Sequence, residues 1–355
     1  MVRDTKPRPD LRTYDRRRFL KHSALTAFGL AARPAFSPSL DRLFSVMPAG
    51  EKSKVVLVRH PAVVDASGKV QAPLLQQILD KAITAFSGRS TVADAWRLYF
   101  SPEDVVGLKI NTLGLMNVKG TDYTQHFSAF NQAVASGLRR AGIKDQNIVV
   151  WDRSEEEMTE AGLTIQKDPG AMRVIANKAA RRGAGDYAET SYPVGSLTSR
   201  VSRILAEVCT SFINIPMPKT HGNSVFTCSL KNHYGTIDNP GQMHANACCS
   251  PGIAEVNAIP IIRKKEKLTI SDALLLVPEQ GPRWDPRFIR PFGGVLVGTD
   301  PVAVDAVALK ILDDHREKDG MEWIAPRVPH LALAEKLGLG KSRLEDIDLV
   351  TFNLA

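Results

Sequence analysis

Residues 213–235 read INIPMPKTHGNSVFTCSLKNHYG, and this stretch decides the fold. Phe212 to Ile215 is short and bulky, the composition of a strand buried in a sheet. Directly after it the chain gathers Lys219, Thr220, His221, Asn223, Lys231, Asn232, His233 and Tyr234. An apolar strand that runs into acid–base and cationic groups is the pattern of an open α/β sheet. In such sheets ligands sit outside the carboxyl ends of the strands.

The flanking sequence repeats the alternation. Val55 to Arg59, Val105 to Ile110, Ile148 to Trp151, Leu268 to Leu275, Val295 to Val297 and Asp348 to Phe352 read as strands. Helical periodicity runs over Ala72 to Phe86, His126 to Arg140, Asp152 to Glu160, Arg200 to Glu207, Ile253 to Ile262, Val302 to Leu312 and Leu331 to Leu337. The expected fold is therefore α/β: a mainly parallel sheet flanked by helices, in Rossmann-like layers. Residues 165–195, rich in Gly, Ala and Arg, are expected to be loops or a boundary between two lobes. With 355 residues, 43% hydrophobic, the chain can bury one large core or two smaller ones.

The N-terminus stands apart. Asp15-Arg16-Arg17-Arg18-Phe19-Leu20-Lys21 precedes a weakly apolar run from Ser23 to Ala32, a combination that resembles a twin-arginine export signal over residues 1–35. A linker over 36–53 and an α/β domain over 54–355 follow. The apolar run is about half of what a bilayer-spanning helix needs, so no permanent membrane anchor is expected. The expectations are a periplasmic or extracytoplasmic location and the twin-arginine translocase as a partner during export. A basic arm that binds acidic partners is the alternative.

Residues 1–35 carry nine Lys/Arg and three Asp/Glu, which accounts for +6 of the net charge of +8. The remainder is nearly neutral and has no aromatic-interleaved basic stripe, so no nucleic-acid partner is expected. Cys209, Cys228, Cys248 and Cys249 show no C-x-x-C spacing, and neither an iron–sulfur cluster nor a zinc ribbon is indicated. Cys248 and Cys249 are adjacent, and small buried residues are the plainer reading of both. The chain also lacks G-x-G-x-x-G after a strand, a Walker loop, H-E-x-x-H and G-x-S-x-G.

Asn223 stands at an N-cap position, and Ser224 to Tyr234 is expected to form a helix with Ser224, Thr227 and Lys231 along a polar stripe. His221 then approaches a helix N-terminus, which favours a carboxylate or phosphate. Lys231 is either a surface lysine or, if half-buried, a nucleophile or tether. His221 suits general acid–base work, and His233 and His244 are candidate metal ligands. His315 and His330 are read as surface residues. Asp152 at a strand end is a ligand-facing acid or a helix-start carboxylate, while Ser154 with Glu157 fits a capping box. Lys109 and Asn111 end another strand and suit ligand contact, as do Lys219, Asn232 and Tyr234. Asp300 with Pro301 reads as cap and first helical residue. Asp305 could reach the ligand or bond a neighbouring loop.

Three motifs together resemble domain of unknown function 362, a bacterial and archaeal family. They are Lys219-Thr220-His221-Gly222, Leu230-Lys231-Asn232-His233-Tyr234-Gly235-Thr236-Ile237 and Asp300-Pro301-Val302-Ala303-Val304-Asp305. The resemblance covers roughly residues 55–315. Some relatives carry ferredoxin-type cysteine repeats, which this chain lacks. A more distant resemblance is to the lactate racemase family, where a catalytic histidine lies ten residues before the lysine that tethers a nickel pincer cofactor. His221 and Lys231 match that order and spacing, and His244 approximates its metal ligand. Where that family has its other acid–base histidine, this chain has Trp151-Asp152-Arg153.

The expected function is that of an exported protein whose metal- or cofactor-dependent site acts on a small anionic carboxylate, with His221, Lys231 and Asp152 as catalytic groups. The resemblance implies an isomerase or oxidoreductase, with a lysine-tethered organometallic group as one cofactor. A periplasmic protein that binds a ligand or metal without turnover is the alternative.

Overall fold

Strands that are apolar on both sides need cover on both faces, and alternate side chains of this chain feed two separate cores. Val56 and Val58 pack into one, Val55 and Leu57 into the other; Ile148 and Val150 oppose Val149 and Trp151 in the same way. The computed structural model describes residues 51–118, 121–177, 186–246 and 251–355. The expected export signal, most of the linker, Cys248 and Cys249 lie outside the described residues.

The first half of the fold contains strands β1 (Ser53–Arg59), β2 (Val106–Lys109), β3 (Ile148–Asp152) and β4 (Arg173–Ala176). Its helices are α1 (Ala72–Ser87), α2 (Val92–Arg97), α3 (His126–Ala141) and α4 (Glu155–Glu160). A hairpin of β5 (Tyr187–Val194) and β6 (Leu197–Ser202) precedes β7 (Ser211–Asn214). A second, smaller hairpin follows, β8 (Lys219–His221) with β9 (Val225–Thr227), and then the one-turn helix α5 (Ser229–Asn232). The remaining elements are α6 (Pro240–Asn246), α7 (Gly252–Asn257), α8 (Pro260–Lys265), β10 (Glu266–Leu276), β11 (Arg290–Gly298), α9 (Pro301–Lys318), α10 (His330–Lys336) and β12 (Ile347–Asn353).

Eight strands form one sheet in the order β12-β1-β11-β10-β7-β2-β3-β4. Every pairing is parallel except the two made by β11, which runs against β1 and β10. The mainly parallel α/β architecture read from the sequence is the one observed. Helices α1, α2 and α3 cover one face through Leu75, Ile78, Trp96, Phe130 and Val134. Helices α7, α9 and α10 cover the other through Ile253, Val304, Val307 and Leu331. No helix among the described residues is long and apolar enough to cross a membrane.

Chain order reverses across the sheet at β2. From β2 the strands run outward to β3 and β4, whereas β7 and β10 lie on its other side. That makes the carboxyl ends of β2 and β7 a topological switch point, the position where open sheets leave a crevice.

Three local expectations are corrected. Ser224 to Tyr234 is not one helix: Val225, Phe226 and Thr227 pair with His221, Thr220 and Lys219 in an antiparallel hairpin. The β-branched and aromatic residues favour that pairing. Helix formation waits until Ser229, where Asp305 of α9 supplies the missing cap by accepting from Ser229 N at 2.6 Å and Leu230 N at 3.0 Å. Within 165–195, β4 joins the main sheet and β5 begins the larger hairpin. The helix expected at 200–207 is instead the end of β6 and a single π turn, Ile204–Val208. Asp300 and Pro301 do what their order implies, since Asp300 Oδ1 accepts from Val302 N and Ala303 N at 2.9 Å each.

Gly137 of α3 lies against Trp96, and a Cβ there would fall 2.3 Å from the indole nitrogen. Helix propensity favours alanine by about 1 kcal/mol, but overpacking a buried ring costs about 1–3 kcal/mol. Gly137→Ala is therefore expected to lower the urea midpoint, and a raised midpoint contradicts this packing argument.

Candidate functional site

Lys109, the last residue of β2, is fully buried, and its ammonium is held by three oxygens. It donates to Asp152 Oδ1 at 2.7 Å, to the Ile110 carbonyl at 2.6 Å and to Asn232 Oδ1 at 3.0 Å. Asp152, at the end of the adjacent β3, accepts in addition from Arg153 N, Thr112 N and Thr112 Oγ1, each at 2.8 Å. Burial lowers the Lys109 pKa, and the Asp152 charge partly offsets it. For Asp152, burial alone would raise the pKa, but Lys109 and the Thr112 bonds together hold it below the usual carboxylate range. Asp152, expected as a catalytic group, accepts four hydrogen bonds here and anchors the site.

Asn232 completes the anchor. Its amide donates to the Lys109 carbonyl at 3.2 Å and to Asn214 Oδ1 at 2.8 Å, and its oxygen also receives Asn111 Nδ2 at 3.3 Å. The short α5 is thereby tied to the ends of β2 and β7. Gly235 closes over this layer: a Cβ there would lie 2.9 Å from Lys109 Nζ and 3.0 Å from Asp152 Oδ1.

Above the anchor is a cleft lined by Lys109, Asn111, Asp152, Arg153, Lys219, His221, Lys231, Asn232, Tyr234 and His244, among others. Its free space is about 40 Å³, room for about three or four water-sized groups at roughly 10–15 Å³ each. Four cationic side chains face one carboxylate. Lys219 is fully buried and donates to Asn111 Oδ1 at 2.7 Å and the Leu113 carbonyl at 2.9 Å. Burial pushes its pKa down to about 7. Lys231 stands over the Tyr234 ring, 3.9 Å from its centroid.

The two cleft histidines stack, with ring centroids 5.4 Å apart and planes 4° from parallel. Their hydrogen bonds fix opposite tautomers. His221 Nδ1 accepts from Asn223 N at 3.1 Å and Ser224 N at 3.3 Å, so the neutral ring carries its proton on Nε2. His244 Nδ1 donates to the Pro240 carbonyl at 2.8 Å, so its lone pair is on Nε2. That Nε2 is buried and has no hydrogen-bond partner among the described residues. Burial first, and the Lys231 charge next, bring His221 down to about 3 and His244 to about 4. The pair presents one donor and one acceptor side by side.

Of the residues expected at the site, Lys109, Asn111, Asp152, Lys219, His221, Lys231, Asn232, Tyr234 and His244 converge. Three do not. Asn223 is exposed in the β8–β9 turn, where its backbone rather than its side chain serves His221. Asp305 caps α5, as described above, and burial raises its pKa to about 6. His233, expected as a candidate metal ligand, does not line the cleft: its Nε2 lies 3.1 Å from Glu266 Oε2 and its Nδ1 3.2 Å from Thr236 Oγ1. Among the described residues no three His, Cys, Asp or Glu side chains converge to hold a metal ion. Cys209 and Cys228 are buried free thiols whose pKa values burial raises, the first to about 12.

Sequence reasoning passed over Arg153, Gly235 and His330. Arg153 lines the cleft and pairs with Glu157, which its place beside Asp152 at a strand end could have signalled. His330, read as a surface residue, is fully buried on Phe226, and neither ring nitrogen has a partner among the described residues.

Comparison with known proteins bears on the same residues. The family described as Domain of unknown function (DUF362) matches residues 106–310, more than half of the chain and every residue of the cleft. The chain belongs to this family. No curated protein matches this DUF362 chain. A crystal structure of a protein from Thermotoga maritima is similar over 71% of this DUF362 chain and 59% of that one, at 11% identity and a TM-score of 0.37. The DUF362 chain thus spans less than two thirds of that protein's length.

Two predictions follow from this geometry. Lys109→Met leaves a buried carboxylate alone and is expected to cost about 3–5 kcal/mol, of which the double change with Asp152→Leu recovers a part; urea unfolding of the variants reads the cycle. His330 falls from its usual 6.5 to about 3 through burial and the Lys231 charge. The stability it contributes is full above about 6.5 and is lost as pH drops toward 3, because the unfolded chain takes up the proton first. His330→Phe is expected to flatten that acid loss, and an unchanged slope in unfolding curves between these pH values counts against it.

Proposed function

We propose that this DUF362 chain is an enzyme that binds a small carboxylate in the cleft at the ends of β2, β3 and β7 and moves a proton on it. The observation that carries this reading is the pairing of a cationic excess with two histidines of opposite polarity. A carboxylate beside Lys231 meets a charge-assisted donor in a low-dielectric setting. His221 then serves as a neutral hydrogen-bond donor to an oxygen that gains negative charge, and His244 Nε2 serves as the proton acceptor.

His244 titrates near 4 in the free cleft, low for a base at neutral pH. Part of that depression comes from the Lys231 charge, and an anion bound at Lys231 offsets it, so the ligand itself raises the basicity of His244. The reaction class this supports is proton transfer of the isomerase kind. The low titration point also favours a second reading, a protein that binds the carboxylate without turnover. The Arg16-Arg17-Arg18-Phe19-Leu20-Lys21 segment supports export by the twin-arginine route, with an extracytoplasmic site of action.

Calorimetric titration of the full-length chain with lactate, together with proton NMR of lactate or pyruvate in deuterated water, tests the proposal. Binding is expected, and Lys231→Gln should weaken it by about ten- to a hundredfold, the loss of one charge-assisted contact. His244→Asn should keep the affinity and stop deuterium entry at C2 of lactate or at the methyl of pyruvate. Binding with no exchange in the unaltered chain selects the second reading; no binding overturns both.

A further inference from the structure

The two fully buried lysines of the site differ in one respect. Lys109 Nζ faces a carboxylate, whereas Lys219 forms no ion pair among the described residues and meets two neutral oxygens, Asn111 Oδ1 at 2.7 Å and the Leu113 carbonyl at 2.9 Å. A neutral amine has two N–H groups and one lone pair. Two acceptors use both N–H groups and leave the lone pair as the remaining direction, in a side chain that lines the cleft. Rigid strand pairing holds it there, because Lys219 pairs with Thr227 across the hairpin and is bridged to Val277 of the sheet extension.

We propose that Lys219 is a nucleophilic amine that forms an imine with a small 2-oxo acid, whose carboxylate is held by the neighbouring cations. This rests on the carboxylate-binding reading above and specifies its substrate as a carbonyl compound. The Lys219 lone pair forms a C–N bond to the carbonyl carbon as the C=O π pair moves to oxygen, which His221 Nε2–H stabilises by hydrogen bonding. One proton passes from the new ammonium nitrogen through His244 Nε2 to that oxygen. A second proton, from solvent, lets the C–O bond break with loss of water, and the nitrogen lone pair closes the iminium. One amine, one carbonyl and one proton give one iminium and one water, with no oxidant or reductant consumed. The free space of about 40 Å³ favours the smallest such acids. Burial that brings Lys219 to about 7 leaves about half of it as the free amine at neutral pH, where exposed lysines, near 10.4, remain protonated.

The test is reductive trapping. The full-length chain is incubated with pyruvate and sodium cyanoborohydride across pH 6 to 9, digested, and mapped by mass spectrometry, with lactate binding measured in parallel by calorimetry. The expected result is one carboxyethyl group on Lys219, with a yield that rises about tenfold through pH 7 and then levels. Lys219→Arg, which retains donors for Asn111 and Leu113, should lose the adduct. An adduct on Lys231 or on surface lysines, or none while lactate still binds, overturns the imine and leaves the carboxylate cleft standing. Loss of both binding and adduct in the unaltered chain overturns the two together. Because the map is made on the unaltered protein, a poorly folding variant does not decide the outcome.

Discussion

The site depends on one buried ion pair. Lys109 and Asp152 sit on neighbouring parallel strands whose register pairs Lys109 with Trp151, so their side chains meet just beyond the sheet. Removing two ions from water costs several kcal/mol each, and their mutual attraction offsets that only when the remaining donors and acceptors are satisfied. Here they are: Thr112, Ile110, Arg153 and Asn232 fill the other positions. A network that is complete in this sense rigidifies its surroundings, whereas one missing bond would make it a liability. What it fixes is α5, because Asn232 reads the lysine, Asn111 and Asn214 at once. Lys231 and Tyr234 take their positions from that anchor.

The same economy explains the second support, Asp305. A helix of one turn has no intrinsic stability, since nucleation is unfavourable and propagation never begins. Asp305 reaches from the second turn of α9 to the first two N–H groups of α5 and supplies the cap that Cys228 does not provide. Thus the anchor holds α5 from its polar side and Asp305 from its N-terminal end. Gly235 lets the backbone lie against the ion pair without a side chain in between. The motif Leu230-Lys231-Asn232-His233-Tyr234-Gly235 is therefore mostly support, with Lys231 and Tyr234 left to face the cleft.

How much of this was legible in the sequence differs by level. Strands such as Ile148 to Trp151 and Phe212 to Ile215 announce themselves because residues on both sides are apolar, and caps such as Asp300-Pro301 are local chemistry. The hairpin at 219–227 was misread because Asn223 and Ser224 are also good helix starters; what decided against the helix was pairing with Lys219, Thr220 and His221. Tyr187 to Ser202 gave little strand signal because much of its surface is exposed and it forms a separate hairpin. At the site, residue types pointed to the right neighbourhood, but their roles followed from contacts distant in sequence. Asp152 is spoken for by Lys109 and Thr112, 43 and 40 positions away, and His330, read as a surface residue, is buried against Phe226 of β9.

The electrostatic consequence lies in how Lys231 is surrounded. Its charge lowers His221, His244 and His330 together, so Lys231 stands among neutral rings. A bound anion changes that balance more than any single hydrogen bond does, because it acts on all the rings at once and in a medium where charge is poorly screened. By linkage, whatever raises the proton affinity of His244 on binding also makes the anion bind more tightly when His244 is protonated. Ligand recognition and proton affinity are thus coupled through Lys231. On the reading proposed above, a cleft built this way is a weak base when empty and a stronger one when its anion is in place, which would confine proton transfer to the moment a substrate is held.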